Sequence, residues 1–93
     1  MPKFIVVHAP LPTPLGLDQA VPLLKRMAGA MTAEAYWIES WCRTNAEGKA
    51  VQVYCRWDAA NPQIVREVVA KHMPEMPVEG IYPLLTIDSG DFR

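Results

Sequence analysis

The stretch AYWIESWCRT (residues 35–44), followed by NAEGK (45–49) and AVQVYCRW (50–57), decides the fold. Two runs rich in aromatic and β-branched residues flank a segment holding Asn45 and Gly48, which is the pattern of a β-hairpin. With Thr44 paired to Lys49, alternation sets Ile38, Ser40, Cys42, Val51, Val53, Cys55 and Trp57 on one face. Trp37, Glu39, Trp41, Arg43, Gln52, Tyr54 and Arg56 take the other. The first face is expected to lie under helices. The second mixes large aromatics with charge, as an interface or a binding surface does. A one-residue bulge would exchange roles between the faces.

Upstream of the hairpin, Lys3 to Ala9 is a strand bounded by proline. Prolines 10, 12 and 14 remove backbone donors and fix φ, so Ala9 to Leu17 is an extended connector. Asp18 is the expected N-cap of a first helix with an apolar stripe of Val21, Leu24, Met27, Ala28 and Met31. Pro22 argues for a start somewhat later than Asp18, and Gly29 and Thr32 mark the end. Downstream, Asn61 caps a second helix with Pro62 at its first position, and Val65, Val68, Val69 and His72 recur at helical spacing. Pro74 stops it, and a last strand is expected between Val78 and Asp88, with Pro83 at an edge or bulge and a loose tail after Ser89. The order β, α, β, β, α, β within 93 residues is that of one α+β ferredoxin-like domain over residues 1–93. It implies an antiparallel four-stranded sheet, order 4-1-3-2, with two helices on one face.

The net charge of −1, with Lys and Arg spread along the chain, excludes the electrostatic footprint of a nucleic-acid binder. No apolar run approaches the ~20 residues of a membrane-spanning helix. The start Met1-Pro2-Lys3 has no secretory-signal pattern, and Cys42 and Cys55 form neither a CxxC motif nor a disulfide framework, so a cytoplasmic location is expected. The motifs of serine hydrolases, dinucleotide and phosphate loops, zinc proteases and calcium loops are all absent. Any active site would be assembled from residues distant in sequence.

Imidazole and thiolate are the side chains transition metals use most, so His8, His72, Cys42 and Cys55 are the candidates to place. The topology sets His8 and His72 at one edge of the sheet with Cys42 toward it, and Cys55 toward the other end of its strand. Glu75 and Glu79 flank the turn into the last strand. A metal site of His8, His72 and one of those carboxylates, with help from Cys42, is the sharp expectation. Against it, a histidine in the last turn of a helix favours the negative end of the dipole, and a free cysteine commonly packs as a small hydrophobe. A Cys42–Cys55 disulfide is disfavoured, because the assumed register separates the thiols by on the order of 13 Å. Trp37, Trp41, Tyr54 and Glu39 are expected to form a dimer interface or to line a ligand pocket.

Residues 1–4 (MPKF), 53–59 (VYCRWDA) and 76–81 (MPVEGI) resemble, in order, the small bacterial ferredoxin-like domains of unknown function that include a nickel-binding protein. The connector from Ala9 to Leu17 differs from the usual sequence there. The resemblance implies a homodimer, binding of nickel or another divalent transition metal, and no established reaction. The same fold also resembles dimeric α/β-barrel proteins, which implies as the alternative an enzyme or a small-ligand binder with a cavity between sheet and helices.

Overall fold

In the structure, a computed structural model that describes residues 1–93, alternation builds β1 (Lys3–His8) with Phe4, Val6 and His8 buried and the residues between them half-buried. There follow α1 (Leu17–Gly29), β2 (Ala35–Thr44), β3 (Ala50–Ala59), α2 (Pro62–His72), β4 (Val78–Pro83) and a 3₁₀ turn over Ser89–Phe92. The four strands pair antiparallel in the order β2-β3-β1-β4, the ferredoxin-like order read from the other edge. Met27 of α1 and Val65 and Val69 of α2 share one core with Phe4, Val6, Val53, Cys55 and Trp57, so both helices cover the same side of the sheet. Burying a valine such as Val6, Val65 or Val69 contributes about 1.5–3 kcal/mol relative to exposure.

The second helix starts as its sequence dictates: Asn61 Oδ1 accepts the Ile64 N–H at 3.0 Å, and Pro62 opens the first turn. The first helix starts earlier than its proline suggests. Its cap is Gly16, not Asp18, and the Gln19 side chain reaches back to accept the Gly16 N–H at 2.9 Å. Pro22 thus lies inside α1, where both it and Asp18, whose carbonyl it leaves without a donor, are exposed to water. The apolar stripe is also turned relative to the expected one. Met27 is buried and Leu23 and Leu24 are half-buried, whereas Val21 and Ala28 face solvent. At the other end of the chain β4 stops at Pro83, and in the tail Asp88 Oδ1 accepts the Gly90 N–H at 2.8 Å to start a closing turn whose residues are all exposed.

The hairpin carries the main correction. Thr44 pairs with Ala50 and not with Lys49, and the register shifts between Trp37 and Glu39 and again between Arg43 and Thr44. The bulge at Ile38 sends Trp37 to the helix-covered face, opposite Trp57, and leaves Ile38 exposed. Cys42 stands opposite Val53 and Cys55 opposite Ser40, so the thiols are one diagonal step apart and not four residues apart. Both cysteines are free. The turn itself closes on Gly48 at φ +78°, a conformation that favours glycine, with Asn45 Oδ1 accepting the N–H groups of Glu47 and Lys49, both at 3.0 Å.

Candidate functional site: an apolar cavity under the first helix

The helix α2 packs on β2, β3 and β4, whereas α1 makes its main approach to α2. The space left between α1 and the β2–β3 hairpin is a cavity of about 370 Å³, the size of a small-molecule site. Its roof is Ala20, Leu23, Leu24 and Met27, with the exposed Leu17 beside them. The proline-rich connector closes one side with Leu11 and Leu15. Its prolines cannot donate, but the residues that follow two of them do: the Leu11 N–H to Val51 O at 2.9 Å and the Leu15 N–H to Ala50 O at 3.0 Å. The floor is the row Trp37, Ser40, Cys42 and Thr44 of β2 with Ala50 and Val53 of β3. No charged side chain lines the cavity.

Beneath that floor a hydrogen-bonded chain runs into the core. The Trp37 indole N–H donates to Ser40 Oγ at 2.8 Å, and the Ser40 hydroxyl donates to Cys55 Sγ at 3.1 Å. Cys55 Sγ lies 3.5 Å from His8 Nε2, and His8 Nδ1 lies 2.9 Å from Met76 O. A carbonyl only accepts, so Nδ1 carries the proton and donates to Met76 O, while Nε2 accepts from the Cys55 thiol. Burial is the main influence on both ends. It lowers the His8 pKa, against the opposing effect of the Met76 carbonyl, and pushes the Cys55 thiol up to about 11. The chain is therefore neutral throughout.

The expected metal donors do not gather. No group of three or more His, Cys, Asp or Glu side chains is placed to hold an ion. The His8 ring is engaged by Met76 O and Cys55, not by His72, which sits half-buried in the last turn of α2. Glu75 is exposed and paired with Arg26 of α1, a bond that holds its carboxyl below the usual range. Glu79 is exposed on β4, and Cys42 belongs to the cavity floor. Cys55 lies opposite Val6 in the middle of the β1–β3 pairing, beside His8 and not at the far end expected for it.

Of the aromatic set, Trp37 lines the cavity, whereas Trp41 and Tyr54 lie on the open face of the sheet with Glu39. There Arg56 Nη1 is 3.7 Å from Glu39 Oε1, and its buried Nε has no partner. Gln52 is a hub on that face, accepting from Tyr54 Oη at 3.0 Å and Arg43 Nη2 at 3.1 Å while donating to His8 O at 3.0 Å. Tyr36, Trp41 and Tyr82 are large exposed aromatics. Sequence reasoning missed Ser40 and the leucines of the connector. A signal for Ser40 existed, since a hydroxyl placed on a core face requires a partner.

No helix is long and apolar enough to cross a membrane. Comparison with protein-family models finds no match, and comparison with curated proteins finds none either. Among solved structures, the chain is similar to SCO4226 from Streptomyces coelicolor A3(2), with a TM-score of 0.72 at 13% identity over 92% of this chain and 99% of that one. At that identity the likeness is one of fold.

Proposed function

We propose that this chain binds a small, uncharged, mainly apolar molecule between α1 and the sheet. One observation carries the reading: of the 15 residues around the 370 Å³ cavity 12 are hydrophobic, and the others, Ser40, Thr44 and Gly48, bring only neutral polar groups. The space opens to solvent along Leu17, Cys42, Thr44 and Gly48, and an apolar concavity left exposed next to a few fixed polar groups is the kind of surface a small ligand covers. No reaction is assigned to it. Two free thiols suit a reducing compartment, and the cytoplasm is the proposed location.

The test is titration with N-phenyl-1-naphthylamine, a neutral fluorophore, combined with alkylation of Cys42, which is exposed at the cavity floor. Saturable binding that protects Cys42 supports the reading. Absence of saturation, or binding that leaves Cys42 equally reactive, counts against it.

The nickel-binding homodimer implied by the family resemblance is the second proposal. The exposed aromatics of the open sheet face favour the pairing, and the metal rests on the resemblance alone, because Nε2 of the buried His8 is taken up by the Cys55 thiol. Stoichiometric Ni²⁺ uptake abolished in His8→Ala and in His72→Ala would establish it; uptake unchanged in both would remove those residues from any site.

A further inference from the structure

The chain of donors beneath the cavity has its direction fixed at both ends. At one end the Trp37 indole can only donate, so Ser40 Oγ accepts from it at 2.8 Å. At the other the Met76 carbonyl can only accept, so the proton of His8 sits on Nδ1 and Nε2 is left as an acceptor. The thiol proton of Cys55 then points to Nε2, which leaves Sγ as the acceptor for the Ser40 hydroxyl proton. The hydroxyl has one proton and two lone pairs. Its proton and one lone pair are committed inside the protein, and what it offers to the cavity is the second lone pair. We infer that the Trp37–Ser40–Cys55–His8 chain holds Ser40 as a hydrogen-bond acceptor in the cavity floor, so that the ligand is an apolar molecule bearing one neutral donor, an alcohol or phenol.

The inference rests on the cavity being a ligand site and adds which head group that ligand carries. Charged ligands are disfavoured independently, because no lining residue is ionic and the walls are apolar. An ether or a carbonyl compound of equal size fills the same volume and leaves the Ser40 lone pair without a donor. Ser40 acts here as a specificity-determining contact, and His8 and Cys55 as positioning residues that orient its proton.

Two isomers separate the cases: 1-heptanol, which donates, and hexyl methyl ether, which has the same formula and does not. Binding of both is measured by calorimetry to the wild type and to Ser40→Ala, so that the different hydration of the two isomers cancels in the comparison. The preference for the alcohol is expected to be about fivefold greater in the wild type than in Ser40→Ala, the usual worth of one neutral hydrogen bond. An equal preference in the two proteins overturns the inference while leaving the cavity a ligand site. A preference for the ether that is greater in the wild type means that Ser40 presents its proton outward, and it overturns the inference as well. Failure of both isomers to bind the wild type overturns the ligand-site reading and this inference with it. Because the wild type alone must bind one of the isomers, an unfolded variant does not rescue the claim. The second variant, Ser40→Cys, keeps a weaker donor and acceptor at the same position and is expected to retain an intermediate preference.

Discussion

His8 Nε2 lies 3.5 Å from Cys55 Sγ, joined across the β1–β3 pairing that sets Val6 opposite Cys55. The ring is fully buried, and burial lowers its pKa below the ordinary 6.5. Between the folded and unfolded values the unfolded chain binds more protons than the folded one, so stability rises with pH in that window. It is fully present above about 6.5 and is lost as the pH falls toward the folded value. Thermal melting of the wild type at about pH 7.5 is therefore expected well above that at about pH 5.5. His8→Gln, which cannot titrate, is expected to show a flatter profile. Glu75, held below its ordinary carboxylate range by Arg26, is ionised at both of these pH values. Matching slopes in the two proteins would show that another group drives the loss.

The two thiols differ in access. Cys42 is exposed, and Cys55 is fully buried with its pKa pushed up to about 11. The thiolate is the reactive form, so a disulfide reagent at neutral pH is expected to modify one cysteine per folded chain, slowly because burial also raises the Cys42 pKa. Both should react after denaturation in urea. In Cys42→Ser the folded protein is expected to be silent on the same timescale. Rapid reaction of Cys55 in that variant would mean that the β1–β3 region opens readily.

Trp57 is fully buried opposite Trp37, and its indole N–H has no partner. Trp57→Ala removes the largest core side chain and is expected to cost about 3–5 kcal/mol in urea denaturation. Trp57→Phe keeps most of the ring and also removes an unsatisfied donor that costs about 1–3 kcal/mol to bury. Its net cost is expected to be below about 2 kcal/mol, because the two effects oppose. A loss in Trp57→Phe above about 2 kcal/mol would show that the N–H is satisfied by water in solution.

The elements that local chemistry dictates were legible in the sequence: Asn61 with Pro62 opens α2, and the hairpin strands run over the residues their composition marks. The bulge at Ile38 was not, because isoleucine and tryptophan suit either face of a strand and only the packing against Trp57 decides between them. The contact of His8 with Cys55 depends on a pairing between strands about fifty residues apart, which no local signal sets. The cavity depends on how far α1 stands from the sheet. An amphipathic stripe shows which side of a helix is apolar and says nothing of whether that side is filled.

That distance makes the final prediction. Ala20 sits on the cavity-facing side of α1, between Leu17 and Leu24, with open space below it. Ala20→Leu places three further carbons in that space and buries them against Leu11, Leu15 and the sheet without disturbing the helix, leucine being nearly as good a helix former as alanine. Cavity filling commonly contributes about 0.5–2 kcal/mol, so the variant is expected to melt above the wild type. The same carbons occupy the volume a ligand needs, and binding of N-phenyl-1-naphthylamine should fall by about two- to thirtyfold if the loss matches the gain usually seen on filling. Stability and binding thus move in opposite directions from one substitution, as they do where a void is kept for use. A variant that is more stable and binds as before would place the fluorophore elsewhere. One that is less stable would show that α1 already packs too closely on the sheet to admit either a leucine or a ligand.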